Sequence, residues 1–221
     1  GHAAVAELLR QHAATPPASV AMVLPDKVGL AAHRGELQPV VKWLEQGGYV
    51  DALNENGNGL LHGAAHGGRL HVAKELLQRD ASVDLRGIGD GTALIVAAMA
   101  GMHAMVRLLL EHRANLDLQS AAGVTALMTA ASKGCTECVQ ELLEAGASTE
   151  LRDQDGFTAM QLAEEEGQAA IAELLRQHAA TLPASVAMVL PDEIGLAARR
   201  GELQPVVEWL ETGGHVDALN E

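Results

Sequence analysis

A step of 33 residues runs through the middle of this chain and limits what it can fold into. Thr92, Thr125 and Thr158 are 33 apart, as are Ala65, Ala98 and Ala131, and Gly68, Gly101, Gly134 and Gly167. Leu-Leu pairs fall at 76–77, 109–110, 142–143 and, one place early, 174–175. A fixed step of this size marks a solenoid, in which each unit is too small to bury its own apolar stripe and packs on its neighbours.

Residues 123–155 show one unit whole. Thr125 suits an N-cap, because its hydroxyl can accept an otherwise unpaired N–H, and it predicts a first helix from about Ala126 to Lys133. Gly134 suits the left-handed residue that ends a helix. Cys138, Val139, Leu142 and Leu143 form one apolar stripe and predict a second helix, ended in the same way at Gly146. A polar segment, residues 148–155, returns to the next unit.

These residues resemble the ankyrin-repeat family. Gly59-Leu60-Leu61-His62-Gly63-Ala64-Ala65 matches part of that family's Thr-Pro-Leu-His-x-Ala-Ala motif. Looser matches begin at Thr92, Thr125 and Thr158, and the motif's Pro is absent throughout. The resemblance implies an all-α fold, an ankyrin-repeat solenoid of stacked helix-turn-helix pairs with projecting loop fingers. It divides the chain into a second helix of a truncated repeat (1–12), a junction (13–24) and an N-cap-like repeat (25–57). Three internal repeats follow (58–90, 91–122, 123–154), then a C-cap-like repeat (155–178), a second junction (179–190) and the start of a further block (191–221). Within 25–57, Asp26 is expected to N-cap a helix through about Arg34, and Trp43 takes the second-helix core position of Leu76 and Leu109.

A larger repeat overlies the smaller one. Residues 1–55 return as 167–221 with 46 of the 55 pairs identical, which reads as duplication of a five-repeat block. The first junction carries Pro16 and Pro17 but also an apolar half, which is expected to pack on the stack. The step across the second junction, from Glu164 to Ala198, is 34. That near-constant step favours continuous stacking over a flexible linker. Both ends then read as cuts within an array, whose stacking faces are expected to favour end-to-end self-association.

Composition narrows the function. A formal charge of −14 disfavours nucleic acid and anionic membranes and suits a basic or neutral protein partner. The four aromatics, Trp43, Tyr49, Phe157 and Trp209, are too few for a globular enzyme core. The longest apolar run, around residues 93–102, is too short to span a bilayer. Two cysteines suit a reducing compartment and so an intracellular, cytoplasmic protein.

Candidate chemistry is sparse. His62 and His66 sit at the i, i+4 spacing of a metal pair, but only His71 or Asp84 offers a further ligand, and resemblance gives His62 a structural role. Cys135-x-x-Cys138 lacks a second pair, and its register assigns both cysteines to ordinary packing. The acidic run Glu164–Glu166 with Glu173 suits a solvated capping face. Gly87, Gly89 and Gly91 form a turn with no preceding strand, so a nucleotide reading fails. The register places Trp43 and Trp209 in the second-helix core. Accordingly no catalytic residue, metal or cofactor is expected.

The resemblance implies a non-catalytic protein–protein interaction scaffold that binds its partner on a concave face. The residues that its register places there are Asn56, Asn58, His66, Ile88, Met99, Val124, Ser132, Lys133, Gln154, Asp155 and Phe157. They vary from unit to unit while the core positions repeat. The alternatives are a structural spacer rod in a longer tandem array, or the targeting arm of an enzyme outside this stretch.

Overall fold

A computed structural model describes residues 21–181. The expected helix at 1–12, most of both junctions and the further block at 191–221, with Trp209, lie outside the described residues. The chain divides into two compact units, 1–176 and 177–221.

The described part of the first unit is a stack of helical pairs. The first helices are α1 (Asp26–Arg34), α3 (Leu60–His66), α5 (Ala93–Met99), α7 (Ala126–Lys133) and α9 (Ala159–Glu165). Their partners are α2 (Leu37–Glu45), α4 (Leu70–Gln78), α6 (His103–Glu111), α8 (Thr136–Glu144) and α10 (Ala169–Thr181). First helices pack on first helices in chain order, and α4, α6 and α8 pack on one another in the same way. The architecture is thus the all-α solenoid expected from the 33-residue step.

The helix ends follow from local chemistry. Thr92, Thr125 and Thr158 accept the N–H groups of Ile95, Met128 and Gln161, closing the first turns of α5, α7 and α9. Gly134 ends α7 at φ 77°, a left-handed backbone that costs other residues a Cβ clash. Asp26 does not cap α1. Pro25 is the N-cap and Asp26 the first helical residue, because the extended backbone of Pro25 (φ −64°, ψ 135°) already turns the chain into the helix. Helix α10 runs to Thr181, past the expected end at 178, since Ala179 and Ala180 are strong helix formers.

The core is a row of Ala and Leu layers. Leu76, Leu109 and Leu142 are fully buried at equivalent positions, each contributing about 2 kcal/mol. Trp43, their counterpart in α2, is only half-buried against that core.

Two strands break the helical pattern. Strand β1 (Ala21–Val23) pairs in parallel with β2 (Gly48–Leu53), which forms the first finger. Leu24 follows β1, donates its N–H to Leu53 O at 3.0 Å and is buried. The cysteines also depart from the expectation of two separately packed thiols. Cys135 and Cys138 are joined as a disulfide, with Cα atoms 5.3 Å apart. One turn at the start of α8 brings their Cβ atoms together, so packing and bonding share one geometry.

Candidate functional site: a hollow on the first-helix face

The repeats are tied together by polar links before any surface is left over for binding. Asp51 accepts the N–H of Ser82 at 2.9 Å, Asp84 that of Asn115 at 3.0 Å and Asp117 that of Ser148 at 2.9 Å. These aspartates are 33 residues apart, so each finger is pinned to the next by the same bond. Burial raises the Asp51 carboxyl above its usual range, while the Ser82 N–H and the nearby His62 pull it back down.

His62 is structural. Its ring is buried, its Nδ1 accepts the Gly59 N–H at 3.2 Å, and its Nε2 bonds Gly91 O at 3.1 Å. The Gly59 bond requires an unprotonated Nδ1, so Nε2 carries the hydrogen. Burial lowers its pKa, outweighing the hydrogen bonds to the Gly91 and Leu85 carbonyls and the charge of Asp51. The glycine finger serves this ring: a Cβ on Gly87 would lie 2.9 Å from Nε2. Gly87 therefore makes room for a histidine.

The acidic candidates Glu164–Glu166 and Glu173 are exposed, and two of them are paired. Arg176 holds Glu164 at 2.8 Å and Glu173 at 2.5 Å. Among the described residues, no three His, Cys, Asp or Glu side chains are placed to hold a metal ion. No described helix is long and apolar enough to cross a membrane.

What remains is a hollow of about 510 Å³ on the face made by α1, α3 and α5 and the first two fingers. Its lining falls in two rows. Leu30, Gly63 and Val96 form one, and His33, His66 and Met99 the other, each stepping by 33. Asp26, Gly29, Asn54, Asn58, His62 and Ile88 complete the lining. Leu30, Ile88 and Met99 are 45%, 65% and 46% exposed, three of the five large apolar side chains so exposed among the described residues. His33 and His66 stand edge to edge, Nδ1 to Nδ1 at 3.4 Å with ring centres 5.0 Å apart.

The expected binding residues are thereby split. Asn58, His66, Ile88 and Met99 come together in the hollow. Asn56 is exposed at the first finger's tip, its N–H held by Asn54 Oδ1 at 3.1 Å. Ser132 continues the His33–His66–Met99 row one step further, half-buried, with Lys133 exposed beside it. Gln154 is tied into the fingers, its Nε2 donating to Ala121 O at 2.6 Å and its N–H to Ala122 O at 3.1 Å. Val124 and Phe157 are half-buried and Asp155 is exposed. None of these seven lines the hollow. Eight lining residues were missed as binding residues, among them Asp26, Leu30, His33, Asn54 and Val96. The 33-residue step back from His66 points straight at His33.

A family model described as Ankyrin repeats (3 copies) matches residues 28–120 and 94–184. No curated protein matches the chain.

Proposed function

This chain belongs to the ankyrin-repeat family, and we propose that it is a non-catalytic scaffold that binds a protein partner through the concave face formed by its first helices and fingers. Ankyrin repeats are in general protein–protein interaction modules. The observation that carries the choice of face is the convergence of Leu30, Ile88 and Met99 on one open hollow. Apolar side chains left in water at one place favour a partner that covers them, at about 25 cal/mol per Å² removed from water. The other two large apolar side chains so exposed among the described residues, Val23 and Tyr49, lie on β1 and β2.

The expected residues outside the hollow, from Val124 to Phe157, extend the same face and belong to this reading as its outer contacts. The test is affinity capture with the intact chain and with a Leu30→Asp/Ile88→Asp/Met99→Asp variant of matched helicity. Proteins retained by the former and lost by the latter are expected. Recovery of the same proteins at equal yield with both would remove the case for this face.

A further inference from the structure

The chemistry of the hollow narrows what fills it, given the protein-binding reading above. Its walls are apolar at Leu30, Ile88 and Met99. Among its lining residues the one carboxylate is Asp26, and there is no Lys or Arg. Asp26 makes no ion pair among the described residues. The chain as a whole carries −14, the same sign as Asp26. Asn54 spends its Oδ1 on the N–H groups of Asn56 and Asn58, at 3.1 and 2.9 Å, which turns its amide NH₂ toward α1 and the hollow. That group is a donor suited to a peptide carbonyl. A volume of about 510 Å³ exceeds what one side chain fills and lies in the range of sites for bulky ligands.

We infer that the hollow takes a short segment of a protein partner in which bulky apolar side chains adjoin a lysine or arginine. The apolar side chains lie between Leu30, Ile88 and Met99, and the cation lies against Asp26. An acidic segment would meet the Asp26 carboxylate, a like charge. A second copy of this chain would meet its own sign.

The experiment uses fluorescence anisotropy with the full chain at about 0.15 M salt, where long-range attraction is largely screened. The probes are labelled peptides of equal length: Leu/Lys, Leu/Glu and Ser/Lys. The Leu/Lys peptide is expected to bind at least about tenfold more tightly than either other. Met99→Asp or Ile88→Asp should weaken it about tenfold or more, the loss typical of a central apolar contact. Asp26→Asn should weaken it about threefold, as an exposed ion pair allows. Gln140→Ala, at an exposed position on α8 outside the binding face, should leave it unchanged. Circular dichroism and thermal midpoints confirm that the variants fold, and Ile88, on a loop finger, is the substitution least able to disturb a helix.

Equal binding of Leu/Lys and Leu/Glu, or of Leu/Lys and Ser/Lys, would overturn the inference, as would no binding of any peptide. Self-association of the chain abolished by Met99→Asp would also overturn it, by making a second copy the occupant. Failure here with the captured proteins still lost in the triple variant leaves the concave face standing and rejects only this occupant. Capture unaffected by the triple variant rejects the face itself.

Discussion

The Nε2 of His62 donates to the carbonyl of Gly91 at 3.1 Å, joining the start of α3 to the finger that leads into α5. The two bonds together need a neutral ring, because Nδ1 accepts the Gly59 N–H and loses its lone pair on protonation. Burial holds the folded-state pKa below the unfolded value of 6.5. Between those two values the unfolded chain binds more protons, so stability is complete above about pH 6.5 and falls as pH drops toward the folded pKa. His62→Ala is expected to cost about 3 kcal/mol at pH 7.5, from a cavity and two buried groups left unpaired. Urea unfolding at pH 7.5 and pH 5.5 checks this. The gap between the parent and His62→Ala should narrow at the lower pH, and a gap that widened would contradict the neutral ring.

The Asp51, Asp84 and Asp117 bonds make a second prediction. Asp84→Ala is expected to cost about 1 kcal/mol, the loss of one capping-type acceptor. Asp84→Asn keeps an acceptor and should cost less than half of that. Equal losses in chemical denaturation would mean that the charge, rather than the hydrogen bond to Asn115, matters.

Trp43 and Gly48 make a third. A Cβ on Gly48 would lie 2.6 Å from Trp43 Cε3, so the ring of Trp43 fills the space where a side chain would be. Gly48→Ala is expected to cost about 2 kcal/mol through overpacking and to shift the Trp43 emission. Gly47, with φ 90° and nothing within 4 Å of its Cβ position, provides the contrast. Gly47→Ala should cost about 1 kcal/mol from backbone strain alone and leave the emission unchanged. Unfolding curves followed by tryptophan fluorescence distinguish the two.

Periodic features were legible in the sequence and solitary ones were not. Thr125, Ala126, Lys133 and Gly134 mark the ends of α7 because capping chemistry is local and recurs. The rows through His66 and Met99 were readable for the same reason. His33 lies on that row but belongs to a repeat whose motif has decayed, so the motif does not mark it. The aspartate ladder had the right spacing, yet a lone Asp among loop residues says nothing of its donor until the next finger is placed against it. Strand β1 has three residues, too few for any alternation to show. Trp43 followed its register but is too large for the slot that Leu76 fills, so part of it remains in water.

The cysteine pair supplies the last prediction, because the spacing of Cys135 and Cys138 is compatible with packing or with a bond. Cys138 is fully buried on the core stripe, while Cys135 is half-buried as the N-cap of α8, its sulfur accepting the Cys138 N–H at 3.3 Å. Their disulfide closes a very short loop, and so restricts the unfolded chain by only about 2 kcal/mol. Iodoacetamide in denaturant is expected to add nothing before reduction and two groups after it, read by intact mass. Cys135→Ser keeps a good capping oxygen and removes the bond, so it should lower stability by about 1–2 kcal/mol. Cys138→Ser should lower it further, since it also buries a hydroxyl in the core. A reducing agent should destabilise the parent chain by a similar amount and leave Cys135→Ser unaffected. Two alkylated cysteines without any reduction, together with a parent chain indifferent to reductant, would show that the sulfurs pack as free thiols.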